Sequence, residues 1–296
     1  MLMFEKLKAN ILFHNLFKRP NIDHAYKMVG PEDSWYDTIT TVHNSLGEIQ
    51  KLPCEQLEIT SHDGLKLRGV YYPGTTNRTM IWVHGYTSHA ERESAFPGLF
   101  YHSLGFGVLV PYQRAHGPSE GKYISFGPLE TLDMMAWVDL INQKHPQGQI
   151  VIHGLSMGGG IVLDLATQEM KNVKCLVVDA PSIGIDHLLQ GAAQHTFKRT
   201  YYKVYPHLCR RFEKEFGIDP FTHDRIENIQ NGRYPLLLSA GSMEDMEDIL
   251  EEIRYNNPKD STVLILPGCN HGNGMYKQTT MYQSAIREFL DDNLTR

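Results

Sequence analysis

The feature that most restricts this 296-residue chain is the short run Gly154-Leu155-Ser156-Met157-Gly158. It lies between Ile150-Val151-Ile152-His153 and Ile161-Val162-Leu163-Asp164-Leu165-Ala166. The first flank reads as a short buried strand over Gln149 to Ile152, the second as part of a helix from Gly158 to Glu169. A strand that becomes a helix within so few residues must turn sharply. The serine at the apex then takes a strained backbone conformation with its Oγ exposed. Small residues at 154 and 158 let neighbouring backbone pass close by. The helix N-terminus aims its amides and dipole at the serine, which suits a nucleophile whose attack builds negative charge. A phosphate-binding loop is the other chemistry of glycine-rich turns, but no Lys-Ser/Thr follows the glycines and no G-x-G-x-x-G is present. The plain alternative is a turn that only packs, which the flanking strand and helix disfavour.

Around this turn the chain alternates. Glu55 to Ser61 and Leu65 to Tyr72 read as an antiparallel hairpin about His62-Asp63-Gly64. Strands follow at Met80 to Val83, Gly107 to Val110, Val173 to Val178, Leu236 to Ser239 and Thr262 to Leu266. Helical segments separate them at Arg92 to Leu104, Leu129 to Lys144 and Asp245 to Tyr255, and a last one runs from Thr280 to Leu290. This predicts an α/β fold: a mostly parallel sheet with helices on both faces. Residues 182–232 break the pattern with aromatic, basic, partly helical sequence and no strand. An insertion of that length reads as a functional lid within a catalytic domain spanning 54–296. Residues 1–53 form an N-terminal extension. Its first 19 residues suggest an amphipathic helix lying on the protein. The sharper reading has residues 1–19 touching a membrane surface or a partner. Residues 20–53 are mixed and polar, punctuated by Pro20, Gly30, Pro31 and Pro53.

The remaining chemistry can be placed by position along the chain. His84-Gly85-Tyr86-Thr87 directly follows an early strand, where a loop can lend one backbone N–H to an oxyanion hole and the residue after the nucleophile lends another. Those donors are Tyr86 and Met157. His271, in the loop Pro267-Gly268-Cys269-Asn270-His271-Gly272 beyond the last strand, is placed to be the general base. The acid that orients it belongs in Gly241-Ser242-Met243-Glu244-Asp245. Glu244 has the spacing and Asp245 the commoner residue type; the choice leans slightly to Asp245, with Asp248 a distant third. The bland reading of these carboxylates is the solvated first turn of a helix.

Charge and cysteine content narrow the class. A formal charge of -6 with no basic stripe argues against a nucleic-acid partner. Four unclustered cysteines, among them Cys175 in an apolar run, fit a reducing cytoplasm, and no apolar run reaches the roughly 18 residues of a membrane span. The 15 histidines show no metal-binding spacing, so neither metal nor cofactor is expected.

With these residues placed, the chain resembles the α/β-hydrolase superfamily in the order Ser, acid, His. More narrowly, it is similar to bacterial hydrolases related to monoacylglycerol lipases and cytoplasmic esterase-like proteins. The block from His84-Gly85-Tyr86 through Tyr112-Gln113-Arg114-Ala115-His116-Gly117-Pro118-Ser119-Glu120-Gly121 carries the likeness. Those relatives have D-x-R-G-H-G-x-S-x-G, from which Tyr112 and Ala115 depart. The resemblance implies ester hydrolysis through an acyl-Ser156 intermediate, with a lid over the site that sets the acyl pocket. Leu188, Leu189, Phe197, Tyr201, Tyr202 and Val204 would either form its apolar inner face, favouring a short-chain or aromatic ester, or simply pack the lid on the core. A thioesterase or acyl-peptidase would use the same residues. A non-catalytic binding protein on the same fold is the reading from a different class. Oligomeric state is left open.

Overall fold

The computed structural model describes residues 2–21, 33 and 35–295. In chain order its strands are β1 Glu55–Thr60, β2 Lys66–Tyr72, β3 Arg78–Val83, β4 Gly107–Pro111, β5 Gln149–Leu155, β6 Val173–Asp179, β7 Leu236–Gly241 and β8 Ser261–Leu266. The helices are α1 Leu2–Phe17, α2 Ile39–Ile49, α3 Ala90–Ser103, α4 Pro128–Lys144, α5 Met157–Leu165, α6 Ile185–Phe197, α7 Tyr201–Phe216, α8 Arg225–Asn228, α9 Glu247–Asn256, α10 Gly274–Lys277 and α11 Thr279–Asn293.

The strands form one eight-stranded sheet in the order β1-β2-β4-β3-β5-β6-β7-β8. β2 runs antiparallel to both its neighbours, and every pair from β4 to β8 is parallel. The expected hairpin and mostly parallel sheet are both present. Sequence explains which strands sit where. The edge strand β1 alternates half-buried and exposed residues, whereas β4 and β7 are buried throughout. Continuous apolar runs are what a strand covered on both faces requires. Alternate residues of β3 serve two cores: Ile81 and Val83 pack on one face with Trp137 and Ile161, Met80 and Trp82 on the other with Tyr101 and Phe106.

The extension departs from its mixed, polar reading by containing α2. Val42, Leu46 and Ile49 share one face of it, and Ile49 lies over Gly98 of α3, where an added Cβ would come within 3.0 Å of the Ile49 side chain. Gly30 and Pro31 fall outside the described residues. α1 packs against α7 through an aromatic cluster in which Phe13 and Phe17 meet Tyr123, Phe212 and Phe216 at centroid separations of 5.3–6.0 Å. The segment between β6 and β7 is helical, as its sequence suggests, and is bolted down by Arg225. That guanidinium is buried, pairs with Asp164 of α5 through Nε and Nη2 at 2.9 and 2.8 Å, and donates to the Phe126 and Ser182 carbonyls. Cys175 is buried, and burial pushes its thiol up to about 12. Among the described residues, no helix is long and apolar enough to cross a membrane.

Candidate active site

Parallel strands deliver their carboxyl ends to one edge of the sheet, and the candidate residues gather there. Ser156 follows β5 as the residue that caps α5, with φ 60° and ψ −115°. Only tight surroundings hold a non-glycine residue in that region. Here the Ser156 N–H donates to the Asp179 carbonyl at 2.9 Å, and the Ser156 carbonyl accepts from Gly160 and Ser182. Gly158 must be glycine because a Cβ there would lie 1.8 Å from the Val83 carbonyl oxygen.

His271 reaches this serine from the loop after β8, with Nε2 2.9 Å from Ser156 Oγ. Its Nδ1 lies 2.5 Å from Glu244 Oε2. A carboxylate only accepts, so Nδ1 carries the proton and Nε2 is left to accept from the serine hydroxyl. The Glu244 hydrogen bond, opposed by burial, raises the His271 pKa above its ordinary 6.5.

The slight preference for Asp245 is corrected by the geometry of the turn after β7. Glu244 N–H donates to the Gly241 carbonyl at 3.0 Å, and Gly241 N–H donates back to Glu244 Oε1 at 2.8 Å. This folds the Glu244 side chain inward, leaving it 9% exposed, toward the imidazole. Asp245 follows with φ 54° and faces solvent, and Asp248 is exposed on α9. The turn is stitched to the histidine loop: Met243 N–H donates to the Cys269 carbonyl and Gly268 N–H to Ser242 Oγ. Those bonds, made between distant parts of the chain, select the glutamate.

The two oxyanion candidates flank the serine. Met157 is the first residue of α5, so its N–H has no acceptor within the helix. Tyr86 follows β3 and lines the same cavity as Ser156. The Tyr86 hydroxyl donates to the Leu16 carbonyl at the end of α1 at 2.7 Å, and its ring lies 4.7 Å from that of Phe126. His84 is structural: Nδ1–H donates to the Gly85 carbonyl, while Nε2 accepts from Gln113 N–H. Burial holds its pKa well below 6.5, so it stays neutral. Arg114 of the motif block is likewise structural, bound to Asp133 at 2.7 and 2.8 Å and to Asp63 at 3.0 and 3.2 Å.

Several residues at the site went unread in the sequence. A cavity of about 390 Å³ opens onto Ser156 and His271, walled by Trp35, Ile39 and Val42 from the extension with Tyr86, Leu155 and Tyr276. No residue of 182–232 lines it among the described residues. Of the two readings of the insertion's apolar residues, packing on the core is the one observed. Leu189 and Val204 are fully buried, Leu188, Phe197 and Tyr201 rest on the core, and Tyr202 is exposed. The spacing of Ile39, Val42, Leu46 and Ile49 was the available signal for the helix that forms the wall. Glu93 of α3 also lines the cavity, accepting from Gly85 N–H at 2.9 Å and from the Trp82 indole at 3.0 Å. Burial pushes its carboxyl up to about 7. Asp179, buried at the end of β6, accepts from the Tyr282 hydroxyl at 2.9 Å, and burial pushes it up to about 6. Among the described residues, no group of three or more His, Cys, Asp or Glu could hold a metal ion.

The family model described as serine aminopeptidase, S33, matches residues 74–240. The protein YqkD of Bacillus subtilis (strain 168) is 25% identical over 262 residues, covering 84% of this chain and 83% of its own. A monoacylglycerol lipase of Mycolicibacterium smegmatis is 28% identical over 132 residues, covering 42% of this chain and 47% of the lipase. Among solved structures, the Pyrococcus furiosus esterase Pf2001 superposes with a TM-score of 0.65 at 25% identity, over 84% of this chain and 94% of that one. The architecture is the α/β-hydrolase fold, with esterases among its structural neighbours.

Proposed function

Because the chain belongs to the serine aminopeptidase S33 family of hydrolases, we propose that it cleaves carboxylic esters through an acyl-Ser156 intermediate. The observation that carries this reading is the continuous relay from Ser156 Oγ to His271 Nε2 at 2.9 Å and from His271 Nδ1 to Glu244 at 2.5 Å. His271 takes the hydroxyl proton as Oγ attacks the carbonyl carbon, and Glu244 stabilises the imidazolium that forms. The N–H groups of Tyr86 and Met157 receive the oxyanion. His271 then protonates the departing alcohol, and in the second half-reaction activates the water that releases the acid. The relay needs no cofactor.

Substrate size follows from the cavity. Its walls are mainly apolar and aromatic, and about 390 Å³ suits a short acyl chain or an aromatic acid. In this reading the N-terminal extension sets the acyl pocket, and the helical insertion acts as a buttress. The esterase among the structural neighbours supports the reaction class. A second reading has one specific observation in its favour. The Asp33 carboxylate and the Glu93 carboxyl, which with a pKa of about 7 is only partly ionised near neutral pH, line the cavity, and no Lys or Arg does among the described residues. That lining favours an acyl group bearing a free amine, which the family's aminopeptidase description also suggests.

A chain-length series of p-nitrophenyl esters on wild type and Ser156→Ala tests the proposal, with fluorophosphonate labelling alongside. Turnover and labelling should both occur in wild type and vanish in the variant. Turnover surviving in Ser156→Ala would refute it. Aminoacyl esters outpacing matched plain esters would favour the second reading.

A further inference from the structure

We propose that α1, with the end of α6 and the first turns of α7, forms a docking surface for an anionic lipid bilayer. α1 is apolar on two opposite faces. Ala9, Leu12, Phe13 and Phe17 lie buried toward α7, while Met3, Phe4, Leu7 and Ile11 are 86%, 59%, 55% and 55% exposed. Met3, Leu7 and Ile11 recur every fourth residue, so with Phe4 they form one stripe on the side away from the core. A helix that needed only to cover the protein would be polar there.

The charge around the stripe identifies what it meets. Residues 1–19 carry Lys6, Lys8, Lys18 and Arg19 against the single carboxylate Glu5. Between Asp186 and Glu213 the chain carries Lys198, Arg199, Lys203, Arg210 and Arg211 and no carboxylate. Arg211 is paired with Glu215 at 2.6 Å, and Lys8 with Glu5 at 3.6 Å, while Lys198, Arg199, Lys203 and Arg210 are exposed. The two segments adjoin: Lys8 Nζ lies 4.6 Å from the Phe4 ring and 5.6 Å from the ring of Phe197, next to Lys198. Tyr202, 59% exposed beside Lys203, supplies the amphipathic ring favoured at a membrane interface. This concentration of cations on a protein of net charge -6 matches a surface that is apolar within and negative at its headgroups. A second copy of the chain fits poorly, because a twofold contact through this stripe would set Lys6 and Lys8 against themselves.

Docking is separate from the proposed hydrolysis and is read by binding alone. Wild type should co-sediment with vesicles of mixed phosphatidylglycerol and phosphatidylcholine, and lose binding as ionic strength rises. It should not sediment with phosphatidylcholine alone. Leu7→Ser/Ile11→Ser and Lys198→Glu/Lys203→Glu, all at exposed positions, should each weaken binding about tenfold or more. Thermal melts would verify that both variants keep the fold. No binding to the mixed vesicles would overturn the proposal, as would binding unchanged by either variant. A dimer in sedimentation velocity that Leu7→Ser/Ile11→Ser dissolves, without vesicle binding, would overturn it in favour of a second copy.

Discussion

Replacing Glu244 by Gln swaps one oxygen for an NH2 group at the end of a side chain whose orientation is already fixed. Gly241 N–H donates to Oε1 at 2.8 Å, so the glutamine must keep its carbonyl oxygen there or face a donor with a donor. Its NH2 therefore points at His271 Nδ1, where Oε2 now accepts at 2.5 Å. Nδ1 has to become the acceptor, the ring proton moves to Nε2, and Nε2 can no longer take the Ser156 proton. The flipped amide restores the tautomer but leaves Gly241 N–H unpaired, at about 1–3 kcal/mol. Stabilisation of the imidazolium by a carboxylate is lost in either case. Loss of the orienting acid in serine hydrolases is worth about 10⁴ in kcat, or about 5.5 kcal/mol of barrier. We expect that loss for Glu244→Gln, with KM little changed and a melting temperature near wild type. Asp245→Ala, a change at an exposed residue beyond the relay, should stay within about threefold. The assay is p-nitrophenyl ester hydrolysis across pH. His271 is active when neutral, so activity falls as pH drops through its pKa. Glu244 holds that pKa above 6.5, and the acid limb should move down in Glu244→Gln. A loss under tenfold for Glu244→Gln, or a larger loss for Asp245→Ala, would refute the assignment.

Further expectations concern the pocket wall and two structural positions. Trp35→Ala removes a ring that lies 5.6 Å from Tyr276 at the cavity, and should shift acyl preference toward longer chains by about tenfold in relative kcat/KM; an unchanged chain-length profile would contradict α2 and its approach as the pocket wall. Ala115 stands where the similar hydrolases carry glycine and is held at φ 60°. Ala115 is also fully buried in the core, so Ala115→Gly relieves that strain but adds chain entropy and removes a buried methyl. It should change stability by less than about 1 kcal/mol by denaturant melts, without loss of activity. Arg225→Leu leaves buried Asp164 with His223, 3.0 Å away, in place of the two-pronged guanidinium beneath the helical insertion, at a cost of about 3 kcal/mol. Burial pushes the Asp164 carboxyl up, but Arg225 and His223 outweigh it and hold it below 3.8. The stabilisation is therefore in place above pH 3.8 and fades below it, so the melting-temperature gap between wild type and variant should narrow in acid.

What could be read from the chain depended on how local each constraint is. The strain at Ser156 comes from a strand and a helix that are its immediate neighbours, so the motif and its flanks specify the turn. The same holds for the β1–β2 hairpin about Gly64, for the buried runs of β3 to β7, and for His271 in the loop beyond β8. Each reports burial or backbone geometry within a few residues, which hydrophobic period and turn chemistry encode directly. The choice between Glu244 and Asp245 is of another kind. Either side chain could have reached an imidazole; hydrogen bonds from the turn to Leu266, Gly268 and Cys269 set which one does. The pocket wall lay further still from local reading. Trp35, Ile39 and Val42 carry no catalytic motif, and they reach the site because α2 packs on α3, whose Gly98 leaves room for Ile49. The insertion between β6 and β7 shows the converse: its apolar residues are legible as apolar, but that they face α1 and the core rather than the cavity is a property of the assembled layers. Sequence by itself determined the candidate nucleophile, its candidate base and the sheet that presents them, because those follow from short-range geometry. Tertiary structure decided which carboxylate meets His271 and which residues wall the cavity, because both are fixed by contacts whose partners are far apart along the chain.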